Sequence, residues 1–454
     1  MAEQIHLNAF TLACPSPQFW GAWKLPNDES AEGFLSLDYW IKFAGILERG
    51  KFDALFFADT MGVSDVYGGS EAAALRNGVF APAIDPTILI AALAGRTSHL
   101  GFAVTFATSH APPYHAARLF SSLDHVTKGR VAWNIVTSTS KVNEANGLGP
   151  VVPHDERYDI ADEYLEVCYK LWEQSWEDGA LRLDREAGVL ADPDGVHRIN
   201  HRSEHFSVRG PHQTPPSPQR TPFLYQAGGS PRGMAFAGHH AEAVFLGMQS
   251  PDRVREMVDT IRGNAAAAGR DPKAVKILMG FRCLVGESER DVRLRRAEME
   301  ASSSAEAALA MYGYWTGHDL GSTPDGVKLG DLASNDFASI AKSSVLVDNR
   351  GDATVGDLKA AIARDGNAIH FAGTARQVAD QMEELIACGL DGFNIVTGPV
   401  PAGYEEVVDL LVPELQRRGL YRSGYRETVL RERYLGKGQK RLRPDHPGAR
   451  FRRR

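Results

Sequence analysis

Short, almost uninterrupted apolar runs alternate with amphipathic helical patterns along most of this chain, and that alternation constrains the fold more than any other feature. IHLNAFTLA (5–13) precedes a helical LDYWIKFAGILERGK, and FDALFFAD (52–59) follows it. PTILIAALAGRT reads as helix, LGFAVTFA (100–107) as strand, YHAARLFSSLDHVTKG as helix and RVAWNIVTS (130–138) as strand. PFLYQAGG, AEAVFLGM, VKILMGFRCLVG and DGFNIVTG continue the series, each linked to a helical stretch. Strands apolar on both faces and separated by helices indicate a parallel sheet covered on each side. About eight such strands suit a closed (β/α)8 TIM barrel. An open doubly wound sheet is the alternative; it calls for an early GxGxxG, and none follows the first strand.

The 454 residues exceed the usual size of one domain, but a barrel with insertions reaches this length. The expectation is a single barrel domain over 1–435, with insertions near 61–84, 175–220 and 288–367, and a basic tail over 436–454. Loops this long in a compact enzyme are usually lids or disordered. The tail holds eight Lys or Arg against Asp445 alone and lacks apolar periodicity, so it reads as a mobile or oligomer-contacting arm. A net charge of -7, with 43% apolar and 24% charged residues, gives no case for nucleic-acid binding. Cys14, Cys168, Cys283 and Cys388 lack metal-ligand spacing. No signal-peptide layout or membrane-length apolar run is evident, so a cytoplasmic protein with reduced thiols, without metal or membrane, is expected.

In parallel α/β proteins the site forms at the C-terminal edge of the sheet. Thr105, Asn134, Thr137 and Ser138 fall at or near that edge, where polar groups in buried strands need partners. Asp59 ends its strand, poised either to orient a cofactor or to cap the next helix. His154 and Tyr158, four apart in PHDERYDIADEYLEV, share one face at a helix N-terminus, which favours an anion; Asp155 as a plain cap is the simpler reading. In QAGGSPRG, Gly228 and Gly229 allow close backbone approach, while Ser230 suits both an N-cap and a phosphate contact. Trp20 and Trp23 follow the first strand and either wall a planar ligand or pack a lid. His110, His115 and His125 read as structural, although His110 stands on the loop after the third strand.

Taken in order, LERGKFDALFFAD, PPYHAARLFSSLDHVTKGRVAWNIVTS, HDERYDIADEYLEVCYKLWE, FSVRGPHQTPPSPQRTPFLYQAGGSPRG and DGFNIVTG resemble the bacterial luciferase-like flavin-dependent monooxygenases. The resemblance runs from about Ile5 to Tyr434. It is to the branch containing nitrilotriacetate, EDTA and dibenzothiophene-sulfone monooxygenases; the extended basic C-terminus departs from it. It implies a barrel that uses FMN as FMNH2, delivered by a separate NAD(P)H-dependent flavin reductase. O2 then yields a C4a-peroxyflavin that passes one oxygen atom to a small-molecule substrate. It also implies a homo-oligomer, dimer or tetramer. By the same resemblance, Asp59 and Thr105 lie near the flavin ring and ribityl chain, and Asn134 and Thr137 line the isoalloxazine. Ser138, His154, Tyr158, Gly229 and Ser230 hold the phosphate end. The catalytic group is not assigned; Asn134, Thr137 and His110 are the candidates.

For substrate, FWGAWKLPND and the 61–84 loop are mainly apolar and aromatic, with Lys24 the cation of the former. That favours an aromatic or organosulfur compound, such as a sulfone or halogenated aromatic. An aminopolycarboxylate would need several cations at the mouth. An F420-dependent oxidoreductase and a non-catalytic flavin-binding protein are the remaining alternatives.

Overall fold

In the computed structural model, which describes residues 4–15, 17, 19–137, 141–149, 152–302, 304–332, 352–365 and 369–453, eight parallel strands close into a barrel. They are β1 (His6–Leu12), β2 (Ala54–Ala58), β3 (Gly101–Ala107), β4 (Val131–Val136), β5 (Phe223–Gln226), β6 (Ala243–Leu246), β7 (Lys276–Gly286) and β8 (Gly392–Val396). Pairing of β6 with β7, Ala243 opposite Lys276, joins the two halves, and β8 lies between β7 and β1. This closure excludes the open doubly wound sheet. Phe371–Thr374 adds a short strand beside the far end of β7.

Strict alternation along each strand separates two cores, as the period of two requires. Ala54, Phe56, Ala103, Ala132, Tyr225 and Leu278 share the barrel interior. Leu55, Phe57, Val104, Trp133, Leu224 and Met279 face outward into a shell of helices. That shell includes α1 (Leu37–Arg49), α2 (Pro86–Ala94), α3 (Pro113–Val126), α4 (His154–Tyr169), α5 (Pro231–His240), α6 (Pro251–Ala267) and α7 (Ala375–Ile386). The stretch YEEVVDLLVPELQ also packs in this shell, through Val407, Leu411 and Leu415. All four cysteines are buried thiols, and no described helix is long and apolar enough to cross a membrane.

The long segments cover the C-terminal mouth and one flank. Residues 61–84 carry a helix, Ala72–Asn77, whose Ala73 and Ala74 pack with Leu12, Trp20 and the helix Ala305–Thr316 of the third segment. Trp20 is therefore lid packing, 2% exposed, whereas Trp23 is 38% exposed. Residues 175–220 form two small hairpins, Leu181–Asp184 with Val189–Ala191 and His201–Arg202 with Ser207–Val208.

The expectation of a mobile basic tail is corrected. Leu442 and His446 are buried, and His446 Nε2 lies 2.8 Å from the His240 carbonyl oxygen. The arginines find carboxylates on the barrel: Arg441 with Asp178, Arg443 with Asp271 and Arg452 with Glu173. Basic composition marked the tail as solvated, but its charges meet acids that lie far off in sequence. Just upstream, Tyr434 seals the N-terminal end of the barrel. Its hydroxyl bonds that of Tyr225 at 2.6 Å and Asn8 Oδ1 at 3.0 Å.

Candidate active site

Above the aromatic ring formed by Phe10, Phe56 and Phe245, with centroids 4.9–5.9 Å apart, the interior turns polar toward the C-terminal mouth. Thr105 and Asn134 are register partners on β3 and β4, two residues beyond the inward-facing Ala103 and Ala132. Asn134 Nδ2 donates to Thr105 Oγ1 at 2.8 Å, but Asn134 Oδ1 is buried without a partner. Gln226, at the end of β5, is 2% exposed and its Oε1 is likewise unpartnered. A buried, unsatisfied amide oxygen costs about 1–3 kcal/mol, so two at one strand edge mark a place where a ligand donor fits.

A second group assembles beside the first. The Tyr158 hydroxyl bonds both Thr137, which directly follows β4, and Ser230, the N-cap of α5. Burial raises the Tyr158 phenol while those two bonds act in the opposite direction. Ser230 Oγ also accepts from the Gly233 amide at 3.0 Å. The turn needs its glycines: a Cβ on Gly228 would collide with Gln226 Nε2, and one on Gly233 would stand 2.8 Å from the Tyr158 hydroxyl. Gly229 has room, with Met257 Cε 3.4 Å from its Cβ position. His154 opens α4, its ring 5.3 Å from that of Tyr158 and its Nδ1 2.6 Å from Asp155 Oδ1. Arg232 lies over the Tyr158 ring at 5.4 Å and pairs with Asp159 and Asp162, which holds the cluster in place. Ser138 lies outside the described residues.

Asp59 follows β2 immediately and hydrogen-bonds within its own loop. It accepts from the Thr60 amide at 3.0 Å. Burial, then the nearby Asp85 carboxylate, pushes its acid up to about 7. Tyr314, from the insertion helix, bonds Thr60 beside it. His110 faces Asn143 at 3.1 Å, and burial lowers its pKa, which favours the neutral ring. His125 Nε2 is 3.0 Å from the Pro215 carbonyl oxygen, a structural contact.

Sequence reasoning passed over Gln226 and Arg282. Gln226 carried the same signal as Asn134, a polar residue ending an apolar strand. Arg282 interrupts KILMGFRCLVG on β7; it stacks on Phe19 at 4.9 Å and Trp20 at 5.5 Å, and burial lowers its pKa to about 10. No cluster of three or more His, Cys, Asp or Glu able to hold a metal occurs among the described residues.

The chain matches the luciferase-like monooxygenase family over residues 20–392. It belongs to that family. A long-chain alkane monooxygenase of Geobacillus thermodenitrificans (strain NG80-2) is 43% identical over 100% of this chain and 99% of its own. Dimethyl-sulfide monooxygenase of Hyphomicrobium sulfonivorans is 39% identical, covering 100% of this chain and 94% of its own. A dibenzothiophene-sulfone monooxygenase of Rhodococcus erythropolis (strain XP) is 37% identical over 96% of this chain and 97% of its own. Among solved structures, a long-chain alkane monooxygenase superposes with TM-score 0.91 at 42% identity, covering 100% of both chains. A riboflavin lyase holding modified FMN and riboflavin superposes with TM-score 0.93 at 36% identity, over 99% of this chain and 100% of its own. Flavin is therefore the cofactor class to which the luciferase-like fold and this neighbour point.

Proposed function

We propose that the protein is an FMNH2-dependent monooxygenase that places one atom of O2 into a small apolar or organosulfur substrate. The reduced flavin would come from a separate NAD(P)H-dependent reductase. The single observation that carries the reading is the Thr137–Tyr158–Ser230 cluster beside two buried, unpartnered amide oxygens at one barrel edge. Its donor set fits the cofactor. Asn134 Oδ1 and Gln226 Oε1 are acceptors for ring N–H groups. The N-terminus of α5, with hydroxyls at Ser230, Tyr158 and Thr137, suits a phosphate. His154 and Gly229 complete that end, and Asp59 and Thr105 are assigned to the ring and ribityl side.

When bound, the reduced flavin supplies the activation of O2. The chain's own part is to bind, exclude water and manage a proton. Helix Ala305–Thr316 and helix Ala72–Asn77, packed on Leu12 and Trp20, keep bulk water from the mouth. The Asp59 carboxyl, at about 7, holds or releases a proton near neutral pH. His110 is a poor base by comparison, being held by Asn143 and favoured neutral. In this reading residues 1–435 act as one unit, with 436–454 strapped to its flank.

The named relatives act on an alkane, a dialkyl sulfide and an aromatic sulfone. An interior floored by Phe10, Phe56 and Phe245, with Phe19 and Trp20 on the first-strand loop, is compatible with such apolar compounds, and Arg282 is a cation stacked on Phe19 and Trp20. A nitrilotriacetate monooxygenase relative, from Aminobacter aminovorans and 34% identical over 92% of this chain and 93% of its own, is called component A, which accords with a separate reductase here. The test is anaerobic titration of the purified protein with reduced FMN, oxidised FMN and reduced F420. Tight binding of reduced FMN alone is expected; preference for F420 would overturn the reading.

A further inference from the structure

A cavity of about 450 Å³ opens at the opposite end of the barrel from the flavin cluster. Its walls come from the start of β1 at His6, the start of β7 at Lys276, the preceding turn, and the segment leading to Tyr434. Six cations line it: Lys273, Lys276, Arg422, Arg426, Arg433 and Arg443. Asp271 and Glu427 are its acids.

Several of these charges already have counterparts. Arg422 pairs with the fully buried Asp53 at 2.6 Å, and Asp53 also meets His6. Lys276 lies 3.7 Å from Asp391, and Arg443 reaches Asp271 and Asp445. Lys273 and Arg426 have no side-chain partner among the described residues, and both are exposed. Arg433 is 8% exposed, stacked on Tyr425 at 4.6 Å. Its terminal nitrogens donate only to the carbonyl oxygens of Asp53 and His99, and its Nε is buried without a partner. The buried Asp53 carboxylate, shared with Arg422, lies close enough to act as the counter-charge of Arg433. With Asp53, Asp271, Asp391, Asp445 and Glu427 set against the six cations, a surplus of one positive charge remains, and the exposed Lys273 and Arg426 are its unpaired carriers.

We infer that this cavity is a binding site for a phosphate-bearing anion, distinct from the flavin cluster. A phosphate group brings about two charges and three acceptor oxygens, which suit a guanidinium fork and an ammonium approaching from different walls. The volume lies within the roughly 300–1,000 Å³ of small-molecule pockets, so an organic phosphate or pyrophosphate fits as well as the bare ion.

Calorimetric titration of the full-length protein with pyrophosphate, in chloride buffer, tests this. Wild type should bind, and added salt should weaken binding. K273E/R426E, at two exposed positions, should melt as wild type does without ligand yet bind pyrophosphate at least tenfold more weakly. The flavin-cluster variant Y158F/S230A should bind pyrophosphate in this cavity as wild type does. Equal binding by wild type and K273E/R426E would overturn the assignment. So would loss of binding in Y158F/S230A alone, which would place the anion in the flavin cluster. Absence of pyrophosphate binding by wild type would also overturn it, and a changed sedimenting species in K273E/R426E would then make the cavity a contact between copies.

Discussion

Asn134 Nδ2 donates to Thr105 Oγ1 across adjacent strands at 2.8 Å, and this bond turns the opposite end of the amide, Oδ1, into a buried acceptor with no partner. An amide held by one hydroxyl is set for a ligand donor at its other end. Asn134→Ala should therefore weaken reduced-FMN binding about tenfold or more, corresponding to roughly 1–3 kcal/mol for a lost buried hydrogen bond. Thr105→Val, which frees the amide to rotate, should weaken it less. Anaerobic fluorescence titration of both variants checks the order.

Tyr158 bridges Thr137 and Ser230, and in the proposed reading its hydroxyl serves the phosphate end. Tyr158→Phe should reduce affinity for reduced FMN roughly tenfold, about 1.4 kcal/mol, and barely change affinity for reduced riboflavin, which lacks the phosphate. Equal losses for both ligands would place the hydroxyl elsewhere on the flavin.

Asp59 gives the site a pH dependence of definite sign. Its folded-state pKa of about 7 lies above that of an unfolded aspartate, about 3.9, because of burial first and Asp85 second. The stability it contributes is fully present below about pH 4 and is lost as pH rises through 7. Asp59→Asn removes that loss, so its melting temperature should gain on wild type between pH 5 and pH 8. Parallel melting curves across that range would show that Asp59 titrates normally.

The N-terminal end of the barrel rests on Arg431, fully buried and bonded to Glu242 at 2.7 and 2.9 Å. It also donates to the carbonyl oxygens of Thr221, Pro222 and Lys440. Arg431→Met strands the Glu242 carboxylate and should cost about 3–5 kcal/mol in denaturant unfolding. Arg450, exposed and 3.3 Å from Glu166, should tolerate Arg450→Ala with a change below about 1 kcal/mol.

The barrel was legible because its signal is local: each strand is a short apolar run with its own helix, and closure follows from their number. Thr105, Asn134, Thr137, Tyr158 and Ser230 were legible as polar residues at predicted strand ends or helix starts, and the fold brings them into two adjoining groups. Asp59 was recognisable as a strand-end carboxylate, but its upward shift comes first from burial under the folded chain and then from Asp85, 26 positions away across a loop. Gln226 followed the same rule and was missed beside the more conspicuous glycines. The tail was misread because the acids that neutralise Arg441, Arg443 and Arg452 sit in distant helices and turns, where composition gives no hint of pairing.

The most direct test of the central claim is oxygen-isotope incorporation. Purified protein, a NADH-dependent flavin reductase and FMN would be incubated under 18O2 with an alkane, a dialkyl sulfide and an aromatic sulfone, and the products analysed by mass spectrometry. A product carrying one 18O atom, absent without the protein and strongly reduced with Asn134→Ala, is the expected result. Binding of reduced FMN with hydrogen peroxide as the sole oxygen product from every substrate would contradict the claim that this barrel is a monooxygenase of apolar or organosulfur compounds.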